Sequence, residues 1–227
     1  LLGASHPLPA IEFMGVGGSL RVLSEITIAL TGGEMTAKVG ARILPWNATH
    51  TLSAGDIIEL SAPKSGVYGY LTPCADLTTA VVFNSQSSQI SAGIGHWLQS
   101  GDMIAGMPMP PTRSMKIRPI DRLSGGSVRY LAGPQTDLFS TADQKRFQST
   151  PFHTSHIANR RGVKIDFTGA PFTPQNASSI VSDIIITGDI QMTGNGEPFV
   201  LMSECQTIGG YPRIGSVIPA GLSLLPQ

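Results

Sequence analysis

Short runs in which apolar and polar positions alternate recur along the chain, and glycine-containing turns separate them. The segment from Ala10 to Leu30 is an example, with two alternating runs on either side of a Gly-Gly pair. Alternation with a period of two is typical of half-buried β-strands. Residues 136–147 instead have apolar positions at helical spacing, and Ser140 or Thr141 could cap a short helix there. The pattern therefore predicts a mostly β chain with one or two short helices.

The stretch at residues 203–213 lies between two apolar runs, 199–202 and 214–218, and we predict a polar turn between two buried strands. Its two adjacent glycines permit positive φ and the close approach of another group. The hydrogen-bonding side chains are those of Gln206, Thr207 and Tyr211. A tight hairpin with a buried polar anchor is the structural alternative to a functional site here.

Three other motifs favour structural turns. Asn195-Gly196 is a strong hairpin signal between two short apolar runs. Asp56 and Asp102 each follow a Leu-x-small-Gly sequence, and we predict that they bond nearby backbone amides in tight turns instead of acting in catalysis.

Charge and cysteine usage narrow the function classes. The chain of 227 residues has 15 Lys and Arg against 15 Asp and Glu, so no general attraction to nucleic acid or an anionic membrane is expected. No apolar run approaches the roughly 20 residues that cross a bilayer. Two cysteines, Cys74 and Cys205, do not make a disulfide framework, and we expect reduced thiols and a cytoplasmic location. His153 and His156 lack a third ligand at useful spacing, so no metal site is predicted.

A proline-rich segment at residues 106–112 is the clearest linker signal in the chain. Strand-rich sequence lies on both sides of it. We therefore predict a first half at 1–106, a linker at 107–126 and a second half at 127–227.

Five motifs follow one another in the second half of the chain. They are Gly133-Pro134-Gln135, Asn159-Arg160-x-Gly162, Ser182-Asp183-x-Ile185-x-x-Gly188-x-Ile190-Gln191, Gly194-x-Gly196-x-Pro198 and Gln206-Thr207-x-Gly209-Gly210-Tyr211-Pro212. In this order they resemble the allophanate hydrolase subunit 2 family. This resemblance extends more weakly into the first half. The resemblance implies two cyclophilin-like β-barrel halves, and the N-terminal part of the first half is expected to be missing from this sequence.

The resemblance also implies a function, because the family includes the C subunit of the bacterial ATP-dependent 5-oxoprolinase and the carboxyltransferase domain of urea carboxylase. The first expectation is a subunit of a hydrolase that opens 5-oxoproline to glutamate, inactive alone. Its partners would be a second cyclophilin-like subunit and a lactam-cleaving subunit. ATP would be used by the complex, with no covalently bound cofactor. The alternatives are a carboxyltransferase that uses carboxybiotin, and a non-catalytic binding or regulatory subunit.

A carbonyl that gains negative charge requires hydrogen-bond donors placed in advance. In the 5-oxoprolinase implied by the resemblance, the backbone amides of residues 207–210 are the candidate donors, and Gln206 and Tyr211 orient the substrate. Gln206, Thr207 and Tyr211 are therefore the candidate catalytic residues. The candidate substrate-binding residues are Gly209, Gly210, Asn159, Arg160, Ser182 and Gln191.

Overall fold

A computed structural model describes residues 1–64, 66–110, 113–118, 126–175 and 180–225. These residues form eighteen β-strands and two short α-helices, which confirms the prediction of a mostly β chain with one or two short helices. Within the described ranges no helix is both long enough and apolar enough to span a bilayer.

The chain divides into two compact units, Leu1–Ile120 and Asp121–Gln227. The boundaries predicted from the sequence remain a prediction. Of the predicted linker, Met107 and Pro108 lie in a strand, whereas residues 111–112 and 119–125 lie outside the described ranges.

Unit 1 is built from two four-stranded antiparallel sheets and a two-stranded one. The sheet orders are β1-β8-β3-β6, β2-β7-β4-β5 and β10-β9. The strands are β1 (Ile11–Met14), β2 (Gly18–Arg21), β3 (Ile26–Gly32), β4 (Met35–Val39), β5 (Arg42–Leu44), β6 (Ala48–Leu52), β7 (Ile57–Pro63), β8 (Tyr68–Pro73), β9 (Ala75–Leu77) and β10 (Gly106–Pro108).

The two predicted Gly-Asp turns of unit 1 have the same hydrogen bond. Asp56 Oδ2 accepts from the backbone N–H of Ser53 at 2.9 Å, and Asp102 Oδ2 accepts from that of Gln99 at 2.9 Å. Both turns place glycine at positive φ immediately before the aspartate. Turn formation therefore accounts for the motif in both places.

Unit 2 is built on one six-stranded antiparallel sheet with the order β11-β18-β15-β16-β13-β12. A separate two-stranded ribbon is made by β14 and β17. The elements are β11 (Tyr130–Leu131), α1 (Thr141–Ser149), β12 (His153–Ala158), β13 (Gly162–Asp166), β14 (Asp183–Ile184), β15 (Asp189–Met192), β16 (Pro198–Leu201), β17 (Ile208–Gly209), β18 (Arg213–Val217) and α2 (Pro219–Leu222). The Asn195-Gly196 turn joins β15 to β16 with Gly196 at φ 74°, as the hairpin signal predicted.

Helix α1 begins at the predicted cap. The Ser140 hydroxyl accepts a hydrogen bond from the backbone N–H of Asp143 at 3.0 Å, which satisfies one of the unpaired donors of the first turn. Phe147 is the buried residue of this short helix, so the helix depends on local capping as well as on packing.

Ser140→Ala is expected to destabilise α1 by about 1 kcal/mol, because an orphan N–H loses its acceptor. Hydrogen exchange of the α1 amides measures this change. Thr141→Ala is the matched control, since Thr141 is exposed and lies inside the first turn, where alanine is a better helix former. Equal exchange in the two variants would contradict a capping role for Ser140.

Candidate functional site

Residues 202–212 join β16 to β18, and we call them the crossing segment. They do not form a tight hairpin. β16 and β18 pair with opposite edges of β15, so the intervening residues must cross the end of β15. All four residues of β15 are buried, and a strand buried in this way needs hydrogen-bond partners on both edges. The hairpin alternative is therefore wrong, although the segment does lie between two largely buried strands as predicted.

The crossing segment forms the second strand of the ribbon, by which we mean strands β14 and β17. Asp183 pairs with Gly209, and Ile184 pairs with Ile208. The ribbon is extended at both ends by hydrogen bonds from Ile185 N to Thr207 O at 3.0 Å and from Ile180 N to Gly210 O at 2.8 Å. The structure thus brings the predicted residues Thr207, Gly209 and Gly210 against residues 180–185, the segment that contains Ser182.

Arg213, at the start of β18, fastens the ribbon to the main sheet. Its Nη1 donates to the carbonyl oxygen of Ile184 at 2.6 Å and to Asp189 Oδ2 at 2.9 Å, while its Nη2 pairs with Asp183. Its Nε donates to Gln135 Oε1 at 3.1 Å. The planar guanidinium carries five N–H donors in a fixed arrangement, which lets one side chain hold the ribbon and the sheet together.

Asp189 is the buried anion of this network and is 1% exposed. Besides Arg213, it accepts hydrogen bonds from the Ser216 hydroxyl and from the backbone N–H of Ile186, the latter at 3.0 Å. Buried charges persist only when they are paired and hydrogen-bonded. The sequence analysis did not identify Asp189 and Arg213 as a buried ion pair. The one signal in the sequence was the carboxylate of Asp189 at the start of an apolar strand.

The predicted residue Gln191 lies in β15, opposite Arg213 in the register, and is 4% exposed. A Cβ built on Gly209 would lie 2.7 Å from Gln191 Nε2, and one built on Gly210 would lie 3.8 Å from the Ser182 hydroxyl oxygen. Glycine at position 209 is therefore what allows the ribbon to pass over the Gln191 amide. Ser182, Gln191, Gly209 and Gly210 form one group.

The predicted residues Asn159 and Arg160 lie on a turn that joins β12 to β13. Asn159 Oδ1 accepts from the backbone N–H of Arg161 at 2.8 Å, so this side chain stabilises its own turn. The Arg160 side chain forms an ion pair with Glu204. The backbone carbonyl oxygen of Arg160 also accepts a hydrogen bond from the backbone N–H of Glu204 at 2.8 Å. These contacts attach the turn to the beginning of the crossing segment.

The three predicted catalytic residues lie at the surface of the crossing segment. Gln206 and Thr207 are exposed, and Tyr211 is 47% exposed. Cys205, next to them, and Cys74 are both free thiols. Cys74 is 2% exposed, and burial raises the pKa of its thiol, as expected for a core residue of unit 1.

A cavity of about 250 Å³ lies elsewhere in unit 2, beside Lys164 and Glu197. Lys164 Nζ is 2.6 Å from Glu197 Oε1 and 3.4 Å from Asp166 Oδ1. The hydrogen bond to Glu197 raises the pKa of Lys164, although desolvation acts in the opposite direction. A lysine held in the ammonium form is a poor nucleophile. Within the described ranges no three His, Cys, Asp or Glu side chains are grouped as metal ligands would be.

Residues 1–227 match the family described as carboxyltransferase domain, subdomain A and B. The chain belongs to this family, which confirms the resemblance found in the sequence. It is 30% identical over 236 residues to the 5-oxoprolinase C subunit of Escherichia coli K12, covering 100% of this chain and 74% of that protein. It is 21% identical to urea amidolyase of Saccharomyces cerevisiae, covering 93% of this chain and 13% of that protein.

Solved structures show the same fold. The crystal structure of TTHA0988 superimposes with a TM-score of 0.85 and 25% identity over 100% of this chain. The chain spans 45% of the length of that protein.

Proposed function

We propose that the chain is a subunit of an ATP-dependent 5-oxoprolinase, which opens the lactam ring of 5-oxoproline to give glutamate. The observation that carries this proposal is the 30% identity to the C subunit of the Escherichia coli 5-oxoprolinase over the whole chain. ATP is used by the complex, and no cofactor is bound covalently. The partners are a second cyclophilin-like subunit and a lactam-cleaving subunit, and this chain is inactive without them.

The chemistry of the reaction fits the crossing segment. Hydrolysis of a lactam places negative charge on its carbonyl oxygen, and donors positioned around that oxygen stabilise it. Gln206, Thr207 and Tyr211 present such donors at the surface, beside two glycines that admit another group closely. In this proposal these three residues act on the carbonyl, and Ser182, Gln191, Gly209 and Gly210 shape the binding site.

Asn159 and Arg160 are proposed to hold the carboxylate of 5-oxoproline. Guanidinium groups bind carboxylates through parallel hydrogen bonds. Glu204 already occupies this position on Arg160, so the substrate carboxylate has to compete with it. Asn159 contributes by fixing the turn on which Arg160 lies.

A carboxyltransferase is the second candidate function, because the family is described by that activity. The same donors would then polarise carboxybiotin and urea or a related amide, and biotin would enter as the carboxyl carrier. A binding or regulatory subunit without catalysis is the third candidate, and it requires complex formation without turnover.

Gln206→Ala and Tyr211→Phe are each expected to lower turnover by about 10-fold, because each removes a donor from the carbonyl. The measurement is glutamate and ADP formation from 5-oxoproline and ATP by the complex of this chain with its partner subunits. Gln148→Ala is the matched control, since Gln148 is exposed on α1.

The outcomes separate the candidate functions. No glutamate from the intact complex, with carboxylation of urea when carboxybiotin is supplied, overturns the 5-oxoprolinase proposal in favour of the carboxyltransferase. Complex formation with neither activity favours the regulatory subunit. Normal turnover of both variants would remove Gln206 and Tyr211 from the site.

A further inference from the structure

The side-chain amide of Gln191 has an unused donor in the interior of unit 2. Its Nε2 is buried and has no hydrogen-bond partner among the residues that the structure describes. Gln191 as a whole is 4% exposed. Buried polar groups are nearly always paired, so an exception of this kind calls for an acceptor from outside the chain or a functional role.

Gly209 covers this amide. A Cβ at position 209 would lie 2.7 Å from Gln191 Nε2 and 3.1 Å from Ile185 Cδ1, so any side chain there would collide with the amide. The ribbon therefore passes over the donor at van der Waals distance, and the donor becomes accessible only when the ribbon moves outward.

The ribbon is attached in a way that permits such movement. Each of its strands has two residues, and among the described strands they pair only with each other. Side chains attach it to the rest of unit 2. Arg213 donates to Ile184 O and pairs with Asp183, and Gln135 Nε2 donates to Asp183 Oδ2 at 3.0 Å. Segments held by few backbone hydrogen bonds open locally at low free-energy cost.

The charges around Gln191 favour an uncharged acceptor. Arg213, its cross-strand neighbour, is flanked by Asp189 and Asp183, which leaves one excess negative charge in the group. A carboxylate brought to the amide would meet this negative charge, whereas a neutral carbonyl would not.

We propose that the ribbon is a lid over Gln191 and that Gln191 Nε2 donates to the carbonyl oxygen of a lactam or amide ligand. This inference rests on the proposed function, because it adds one buried donor to the surface donors proposed for the carbonyl of the substrate. Gln191 is then a further residue that binds the carbonyl oxygen, and Gly209 is the residue that permits the lid to close over the Gln191 amide.

The test is an NMR titration of the uniformly ¹⁵N-labelled full chain, in which the shifts of the glutamine side-chain amide resonances are measured. Three probes are added in separate titrations. 2-Pyrrolidinone has the lactam carbonyl without a carboxylate, L-proline has the carboxylate without the lactam carbonyl, and 5-oxoproline has both. We expect the Gln191 resonances to shift with 2-pyrrolidinone and 5-oxoproline but not with L-proline. Gln144 is the internal control, because its Nε2 already donates to Thr136 O at 3.1 Å and Phe139 O at 2.9 Å.

Two variants extend the test. Gln191→Glu removes the donor at constant size and is expected to weaken 2-pyrrolidinone binding by about 10-fold or more. Gly209→Ala places a Cβ 2.7 Å from Gln191 Nε2 when the ribbon is closed, so it is expected to favour the open ribbon and to speed exchange of the Ile185 amide. Gln148→Glu is the matched control and should bind normally. In the wild-type chain, the Ile185 amide, which bonds Thr207 O, should exchange with solvent faster than the β15 amides, since it opens with the lid.

An unmoved Gln191 resonance with the lactam probes, or an equal shift with L-proline, overturns the assignment of the carbonyl. Protection of Ile185 equal to that of β15 overturns the lid. A complex that fails to hydrolyse 5-oxoproline while 2-pyrrolidinone still shifts Gln191 refutes the proposed function alone. An active complex with an unmoved Gln191 refutes this inference alone.

Discussion

Arg213→Met is expected to destabilise unit 2 by about 3–5 kcal/mol, because it leaves the carboxylate of Asp189 buried without its countercharge. Asp189 is 1% exposed, and the remaining donors to it are one hydroxyl and one backbone N–H. The same change frees the ribbon, since the bond from Arg213 to the carbonyl oxygen of Ile184 is lost. Turnover of the complex should therefore fall together with stability.

Hydrogen exchange followed by mass spectrometry is the suitable measurement. Both tryptophans of the chain, Trp46 and Trp97, lie in unit 1, so tryptophan fluorescence does not report directly on unit 2. Peptides that contain β15 and β18 should exchange faster in the variant, while peptides of unit 1 serve as the reference. A protein of two units need not unfold in one step, which makes local exchange more informative than one melting temperature.

Two further variants test the physical reason. Lys38→Met removes an ion pair with Glu59 in which both side chains are 49% exposed. The expected loss of stability is no more than about 1 kcal/mol, because solvent screens exposed ion pairs. Adding Asp189→Asn to Arg213→Met removes the unpaired charge and should restore much of the stability. A change in Arg213→Met as small as that in Lys38→Met, or no recovery in the double variant, would contradict the role given to this pair.

The sequence was informative wherever one short segment determines the local structure. The Asn195-Gly196 turn, the Ser140 cap and the Asp56 turn were predicted because their hydrogen bonds join residues at most four positions apart. Such motifs depend on backbone geometry that a few residues fix by themselves.

The placement of β15 between β16 and β18 could not be obtained in this way. Strand order depends on contacts between residues distant in sequence, and an apolar run has the same pattern at a sheet edge as in its centre. The pairs of Arg213 with Asp183 and Asp189 join residues 30 and 24 positions apart. Taken singly in the sequence, Arg213, Asp183 and Asp189 cannot be distinguished from charged residues at the protein surface.

The candidate site was predicted in part. The family resemblance named Gln191 and Gly209, and the structure places Gly209 of the ribbon directly over the side chain of Gln191. The sequence did not indicate that Gln191 is buried, because glutamine side chains are mostly exposed in folded proteins. The roles of these residues in a reaction remain proposals.

Phe172→Ala is expected to destabilise unit 2 by about 3–5 kcal/mol, because it opens a cavity inside an aromatic cluster. Phe172 is 0% exposed, and its ring centroid lies 5.2 Å from that of Phe147 and 4.8 Å from that of Phe167. The guanidinium of Arg146 lies over the same ring, with its central carbon 3.7 Å from the centroid. Removal of the ring therefore costs a cation–π contact as well as packing.

Phe172→Leu separates these contributions, since leucine retains much of the volume but has no π-system. We expect a loss of no more than about 2 kcal/mol for this variant. Hydrogen exchange of α1 and β13 measures both changes, and α1 carries both Phe147 and Arg146. Because the ribbon is fastened through Arg213 and not through this cluster, Phe172→Leu should leave exchange of the Ile185 amide unchanged. An equal loss in the two variants would mean that the ring contacts, and not the cavity, account for the stability that Phe172 provides.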